Sequence, residues 1–241
     1  MKVTLKNRSF DEIPIYKPEG PIFELLDKTI PKFPNEAITI YSLTEKKIIY
    51  AHGWKEVLGY EDWEMTLSYC ISLTDPSQAT HNLNFLEKCL QFLLQPKDRL
   101  AEYSISMEIA KIHKNGHKVP LTHSLGIYKA EENKVTEVVL RSQINYSIKF
   151  GQVIRYTVSG PNIDQFNDLI EDELADTPTL SEKEKQVLQL VANGLTYKEI
   201  AAELGVSISA IEKRILPLFK KFNVKSISHL IHFAHINYLI D

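Results

Sequence analysis

The sequence predicts an α+β chain of two unlike units: an N-terminal antiparallel sheet with flanking helices, and a C-terminal all-α unit of four helices. Three observations carry this. Apolar and polar residues alternate at Ile105, Met107 and Ile109, and again at Leu121, His123, Leu125 and Ile127, on either side of Asn115-Gly116. Period two marks strands, and Asn-Gly marks the turn that joins them. Ser181 with Glu184, and Thr196 with Glu199, are capping pairs that open successive helices. Ile211, Ile215, Leu218 and Phe222 then form the stripe of a helix buried on one side.

Composition agrees with folded units. The chain has 241 residues, of which 44% are hydrophobic and 24% charged, ordinary values for a globular protein. No apolar run approaches the roughly 18 residues of a membrane helix. Met1 to Asp11 has no apolar core of secretory type, so no signal peptide is expected. Cys70 and Cys89 are too few for a disulfide framework, which points to a reduced, cytoplasmic compartment. Net charge is −3, yet its parts differ: 179–241 carries +2, 151–178 carries −5, and 1–150 is balanced.

The elements follow in order. Residues 1–36 hold Pro14, Pro18, Pro21, Pro31 and Pro34, which bias the backbone away from helix. They are expected to be an extended segment, with Ile22 to Leu26 as one short helical stretch. Residues 37–148 form the first domain. Ala37–Tyr41 and Ile48–Ala51 read as strands, and short helical pieces follow around Trp54, Leu58 and Trp63. Ser77 is the expected cap of a longer helix with Leu83, Leu86, Leu90 and Leu93 on one face, closed by Pro96. Three strands end the domain, the last running from Thr136 to Ile144.

This order, with Ile48-Ile49-Tyr50, Leu58-Gly59-Tyr60, Asp75-Pro76 and the three-strand meander, resembles the PAS fold. The resemblance implies a sensor or dimerisation domain whose interior often holds a small molecule. His123 and Leu125 share the inward face of one strand and are the candidate ligand contacts. A buried, hydrogen-bonded histidine is the alternative account of His123. The Gly-x-Asn-Cys-Arg-Phe run of flavin photoreceptors is absent, and His81 between Thr80 and Asn82 does not suit a haem. No cofactor is assigned. Residues 149–178 are read as an acidic linker. Within it Phe166, Leu169, Ile170 and Leu174 stripe a helix that packs on the sheet or crosses to a second chain.

In residues 179–241 the first helix carries Val187, Leu188, Val191 and Ala192 and stops at Asn193-Gly194. The second carries Ile200, Ala201 and Leu204 and stops at Gly205. Ser207 or Ser209 caps the third, whose face opposite the apolar stripe carries Ser209, Lys213, Arg214, Lys220 and Lys221. Cations and small hydroxyls on that face suit a DNA groove. The fourth runs from Ser226 to Leu239 and is apolar on more than one side, which calls for burial on more than one side.

This arrangement resembles the LuxR/GerE-type helix–turn–helix domain. The matching residues are Leu180-Ser181, Glu184, Val187-Leu188, Leu190-Val191-Ala192, Gly194, Lys198-Glu199-Ile200-Ala201, Leu204, Val206-Ser207, Ile211, Lys221 and Val224. The resemblance implies a transcription regulator that binds double-stranded DNA as a homodimer, with its third helix in the major groove and its fourth at the dimer contact. Carried over, Lys198 holds a phosphate with the amides of Thr196 and Tyr197. Ser207, Ser209, Ala210, Lys213 and Arg214 face the groove, and Lys220 and Lys221 meet backbone further along. Leu230, Ile231, Phe233 and Ala234 are the expected dimer contacts. Two departures bear on DNA preference: Glu212 brings a negative charge to the groove face, and Pro217 is expected to kink the third helix or end its regular part.

His229, His232 and His235 step by three on the fourth helix, but no carboxylate or cysteine joins them, so no metal site is assigned. No phosphate-binding glycine loop, HExxH or GxSxG occurs, so no enzyme activity is expected. The expected function is a DNA-binding regulator whose PAS-like domain senses a small molecule or partner, with RNA polymerase a candidate partner. An interaction adaptor with little DNA affinity is the alternative.

Overall fold

A computed structural model of the chain describes residues 3–5, 8–10, 19–95, 99–149, 151, 155–161, 163–175 and 179–241. It divides into two units: 1–148 with 154–175, and 149–153 with 176–241.

The first unit opens with β1 (Val3–Leu5) and β2 (Arg8–Phe10), a separate antiparallel pair, then α1 (Pro21–Thr29). The short helical stretch expected at Ile22 to Leu26 is α1, which begins one residue earlier and runs on to Thr29. Pro21 sits at the start of α1, where its missing N–H costs nothing and its fixed φ favours helix. Leu26 and Ile30 bury against Ile38, Ile40 and Tyr50, covering one face of the sheet.

The main sheet is antiparallel, in the order β4-β3-β7-β6-β5-β8. Its members are β3 (Glu36–Ser42), β4 (Lys47–His52), β5 (Ser104–Ile112), β6 (Lys118–Glu131), β7 (Lys134–Ile144) and β8 (Tyr156–Ser159). β3 lies between two partners and is buried along its whole length. Ile38 and Ile40 face α1, whereas Ala37 and Tyr41 join the main core on the other face, as the two-residue period requires. Between β4 and β5 lie α2 (Trp54–Leu58), α3 (Leu67–Ser72) and α4 (Ala79–Leu93). This is the PAS-like order of elements: two strands, short helices, a long helix and a meander.

Four details differ from the sequence expectation. Ser77 does not cap α4; its hydroxyl and its amide N–H both donate to Asp75 Oδ1, at 2.8 and 2.9 Å. The buried side of α4 is Asn82, Phe85, Cys89, Leu90, Phe92 and Leu93, so Leu90 and Leu93 of the expected stripe are buried while Leu83 and Leu86 are only partly covered. Phe85 and Phe92 are the largest side chains on that side. Pro96, the expected stop, lies outside the described residues. At the Asn115-Gly116 turn only Gly116 is left-handed, at φ 87°, and the Gly116 N–H donates to His113 O at 2.8 Å.

The fourth is a strand inside the expected acidic linker; the striped helix expected there does form, and it packs on the first unit, one of its two expected places. Residues 156–159 are a sixth strand, paired to β5 from Ser104↔Ser159 to Met107↔Tyr156. Helix α5 (Ile163–Ala175) returns Phe166 and Ile170 to the core with no exposed surface. The Phe166 ring stands edge-on to Phe92 at 5.2 Å and to Phe85 at 6.0 Å. Acidic residues such as Asp164 and Asp168 face water, so the charge that suggested a linker is one side of an amphipathic helix.

The second unit contains α6 (Glu182–Ala192), α7 (Tyr197–Glu203), α8 (Ile208–Lys221) and α9 (Ile227–Ile236). Ser181 and Thr196 form the two expected capping boxes, and Ser207, not Ser209, caps α8. Helix α8 continues through Pro217 to Lys221, so Pro217 does not end it. Pro217 is on the exposed side of the helix. Among the described residues no helix is long and apolar enough to cross a membrane.

Candidate nucleic-acid interface

The orientation of α8 follows from its buried stripe. Ile211, Ile215 and Leu218 have no exposed surface, and they pack with Val187, Leu188, Ile200 and Leu230 from the other three helices. At 100° per residue, the direction opposite that stripe belongs to Ser209, Lys213, Leu216 and Lys220. All four are exposed. Arg214 is half-buried and Lys221 is exposed on the flank of the helix, with Lys221 Nζ 5.5 Å from the centre of the Phe222 ring. The five polar residues expected on one face thus divide into an outward row and a flank.

Glu212 is exposed beside Tyr197. Burial, and then the Glu212 charge, push the Tyr197 hydroxyl above its ordinary pKa, so Tyr197 remains a neutral donor. Ser207 Oγ accepts from the Ala210 N–H at 3.2 Å and serves the cap. Lys198 is exposed on α7.

Thr196 is placed differently from its expected role. Its N–H donates to Glu199 Oε2 at 2.8 Å and its hydroxyl to the same oxygen at 2.7 Å. These hydrogen bonds hold the Glu199 carboxyl below its ordinary range. The Thr196 amide, expected to assist at a phosphate, is engaged by an internal carboxylate.

Three of the four expected dimer contacts lie inside the second unit. Leu230 and Ala234 are wholly buried and Phe233 nearly so, stacked on Phe222 at 5.1 Å; all three serve the core of their own unit. The fold itself takes up much of the apolar surface assigned to a second chain. Ile227 and Ile231 stay partly exposed on α9, beside exposed Ser228, His229, His232 and His235.

Sequence reasoning missed two residues here. Ile208 keeps 45% of its surface exposed and Leu216 keeps 60%. Leu216 falls out of phase with the buried stripe, and that phase is its signal, whereas Ile208 continues the stripe three residues before Ile211 and is left uncovered at the first position of α8.

A second candidate site is a cavity in the first unit, about 750 Å³ including its mouth to solvent. Leu125 and His123 line it, with Tyr41, Leu86, Leu90 and Met107 among its apolar walls. His123 is buried, and its Nε2 has no hydrogen-bond partner among the described residues. Burial, followed by the nearby Lys111 charge, drives the His123 pKa well below 6.5, so the ring is neutral. Lys111, missed from sequence, is also buried at the wall; its Nζ donates to Cys70 O at 2.6 Å and Thr74 Oγ1 at 3.2 Å. Burial lowers its pKa. Lys111 continues the inward parity of Ile105, Met107 and Ile109, so the alternation already marked it.

Comparison with known proteins fits this geometry. The family GerE, bacterial regulatory proteins of the luxR family, matches residues 178–234. The C-terminal unit is a luxR-type helix–turn–helix domain. Among curated relatives, the transcriptional regulatory protein DesR of Bacillus subtilis is 34% identical over 80 residues, 33% of this chain and 40% of DesR. The HTH-type transcriptional regulator DctR of an Escherichia coli O6:H1 strain is 28% identical over 123 residues, 49% of this chain and 70% of DctR. The match thus spans well under half of DesR. Among solved structures, the Vibrio cholerae VqmA dimer, described as a LuxR-type receptor, is 17% identical over 90% of this chain and 89% of that one, with a TM-score of 0.37. A PAS domain from Colwellia psychrerythraea is 16% identical over 53% of this chain and 99% of that one, with a TM-score of 0.39.

Proposed function

We propose that this chain is a sequence-specific, DNA-binding transcription regulator, a homodimer acting in the cytoplasm, whose PAS-like unit senses a small molecule. The observation that carries the reading is the outward row of α8, with Lys213 and Lys220 exposed on a helix capped and packed as the second helix of a helix–turn–helix. Cations there meet phosphates and position the helix; base edges are read from the same face. The cavity beside Lys111 and His123 supports the sensing half. It suits a small, mostly apolar molecule with one hydrogen-bonding group. Recognition helices of a dimer must sit about 34 Å apart to reach two half-sites, so a ligand that favours one dimer geometry controls binding. RNA polymerase is the partner a promoter-bound regulator meets. No step of this reading calls for enzyme chemistry.

The test is selection of bound duplexes from a random-sequence library by the full chain, wild type and Lys213→Ala/Lys220→Ala. A two-fold-symmetric motif enriched by the wild type and lost in the double variant is expected. Absence of enrichment even at low salt rejects the reading.

A further inference from the structure

An exposed leucine in a row of cations is out of place on a helix surface turned to water. Leu216 is exposed over 60% of its surface, although it stands one turn from Lys213 and one turn from Lys220. It takes no part in the core, which closes on Ile211, Ile215 and Leu218 on the far side of α8. Pro217 beside it is exposed too, so the outer side of the mid-helix carries two apolar residues between two lysines. The flanking charges select the occupant of this patch. A surface that lays Lys213 and Lys220 along phosphates brings Leu216 between them, into the groove. The apolar groups that line a major groove are the 5-methyl groups of thymine.

We propose that Leu216 reads a thymine methyl group and makes thymine a preferred base in each half-site. The inference rests on the DNA-binding reading and goes beyond it, because it names a base and the atom by which it is recognised. It also gives Leu216 a role distinct from that of its neighbours. Lys213 and Lys220 contribute affinity for any sequence, whereas Leu216 contributes discrimination. Glu212, one turn from Leu216 on the exposed side, is placed to accept from cytosine N4, so the two side chains together disfavour guanine and adenine on the strand they face.

The test uses the full chain and a duplex selected as above. Each thymine is replaced in turn by deoxyuracil, which removes only the methyl group and keeps base pairing. One position per half-site is expected to lose affinity about four-fold, the cost of uncovering one methyl-sized group. Leu216→Ala is expected to bind the thymine and uracil duplexes alike, and its own selection to relax at that position only. Because Leu216 is exposed, the alanine variant keeps its fold, which a thermal unfolding curve checks. Uracil neutral at every position for the wild type overturns the inference and leaves DNA binding intact. So does equal sensitivity in wild type and Leu216→Ala, which assigns the methyl contact to another residue. Failure to enrich any duplex removes the DNA-binding reading, and this inference with it.

Discussion

Lys111 Nζ donates to the carbonyl oxygen of Cys70 at 2.6 Å, joining the sheet to α3 through a fully buried amine. Among the described residues no carboxylate pairs with it. An unpaired amine in a low-dielectric site favours its neutral form. Lys111→Met retains the volume and discards the desolvation penalty. The expected result is unchanged or raised stability at neutral pH, read from the denaturant midpoint, whereas Lys111→Ala lowers it through the void it leaves.

His123 makes the first unit sensitive to acid. Its folded pKa is depressed well below 6.5 by burial, so below 6.5 the unfolded chain binds a proton that the folded chain refuses. Stability is therefore full above 6.5 and falls as pH drops below it, by up to about 1.4 kcal/mol per pH unit for one proton. Urea unfolding across that range shows the slope, and His123→Gln removes it. The depressed Lys111 pKa acts in the same direction at higher pH, relieving its penalty as pH rises towards 10.5.

Pro217 stands inside α8, where it has no N–H to donate. Pro217→Ala restores an N–H for the carbonyl one turn back and removes the ring clash, on an exposed side that needs no repacking. The expected gain is about 1–3 kcal/mol, seen as a higher unfolding midpoint.

Removing a capping hydroxyl gives the opposite sign. Thr196→Ala strips the hydrogen bonds to the Glu199 carboxylate and the Glu199 N–H. A loss of about 1 kcal/mol is expected in thermal unfolding. DNA affinity at fixed temperature changes little, because the Thr196 amide is already engaged by Glu199.

Salt dependence separates the outward row from the flank. Lys213→Ala and Lys220→Ala are each expected to reduce the slope of log affinity against log salt by about 0.9, one phosphate apiece. Arg214→Ala, half-buried, lowers the unfolding midpoint as well as affinity. Titration at several salt concentrations distinguishes the two patterns.

Local signals were well expressed in the sequence. Ser181 with Glu184 and Thr196 with Glu199 mark helix starts because the capping hydrogen bonds lie within three residues. The stripe of α8 shows which side packs. What stayed hidden depends on distant partners. Tyr156 to Ser159 becomes a strand because β5 offers a free edge, a relation that spans some fifty positions. Phe233 and Ala234 looked available to a second chain because sequence counts apolar residues without showing that Phe222 and Leu218 absorb them. Lys111 broke its own alternation by charge, although parity placed it inside.

The order in which the chain visits its units bears on any fragment or fusion made from it. Residues 149–153 group with the C-terminal unit, and 154–175 return to the first before the path crosses again. Within the C-terminal unit the Lys149 N–H donates to Tyr238 Oη at 2.6 Å, and the Gly151 Cα lies so near Ile236 O that a Cβ there would sit 2.2 Å from it. A gene fragment beginning at 179 thus encodes its helices without Lys149 and Gly151, which meet Tyr238 and Ile236. A faithful minimal version is a permuted chain, with 149–153 spliced back on through a designed loop.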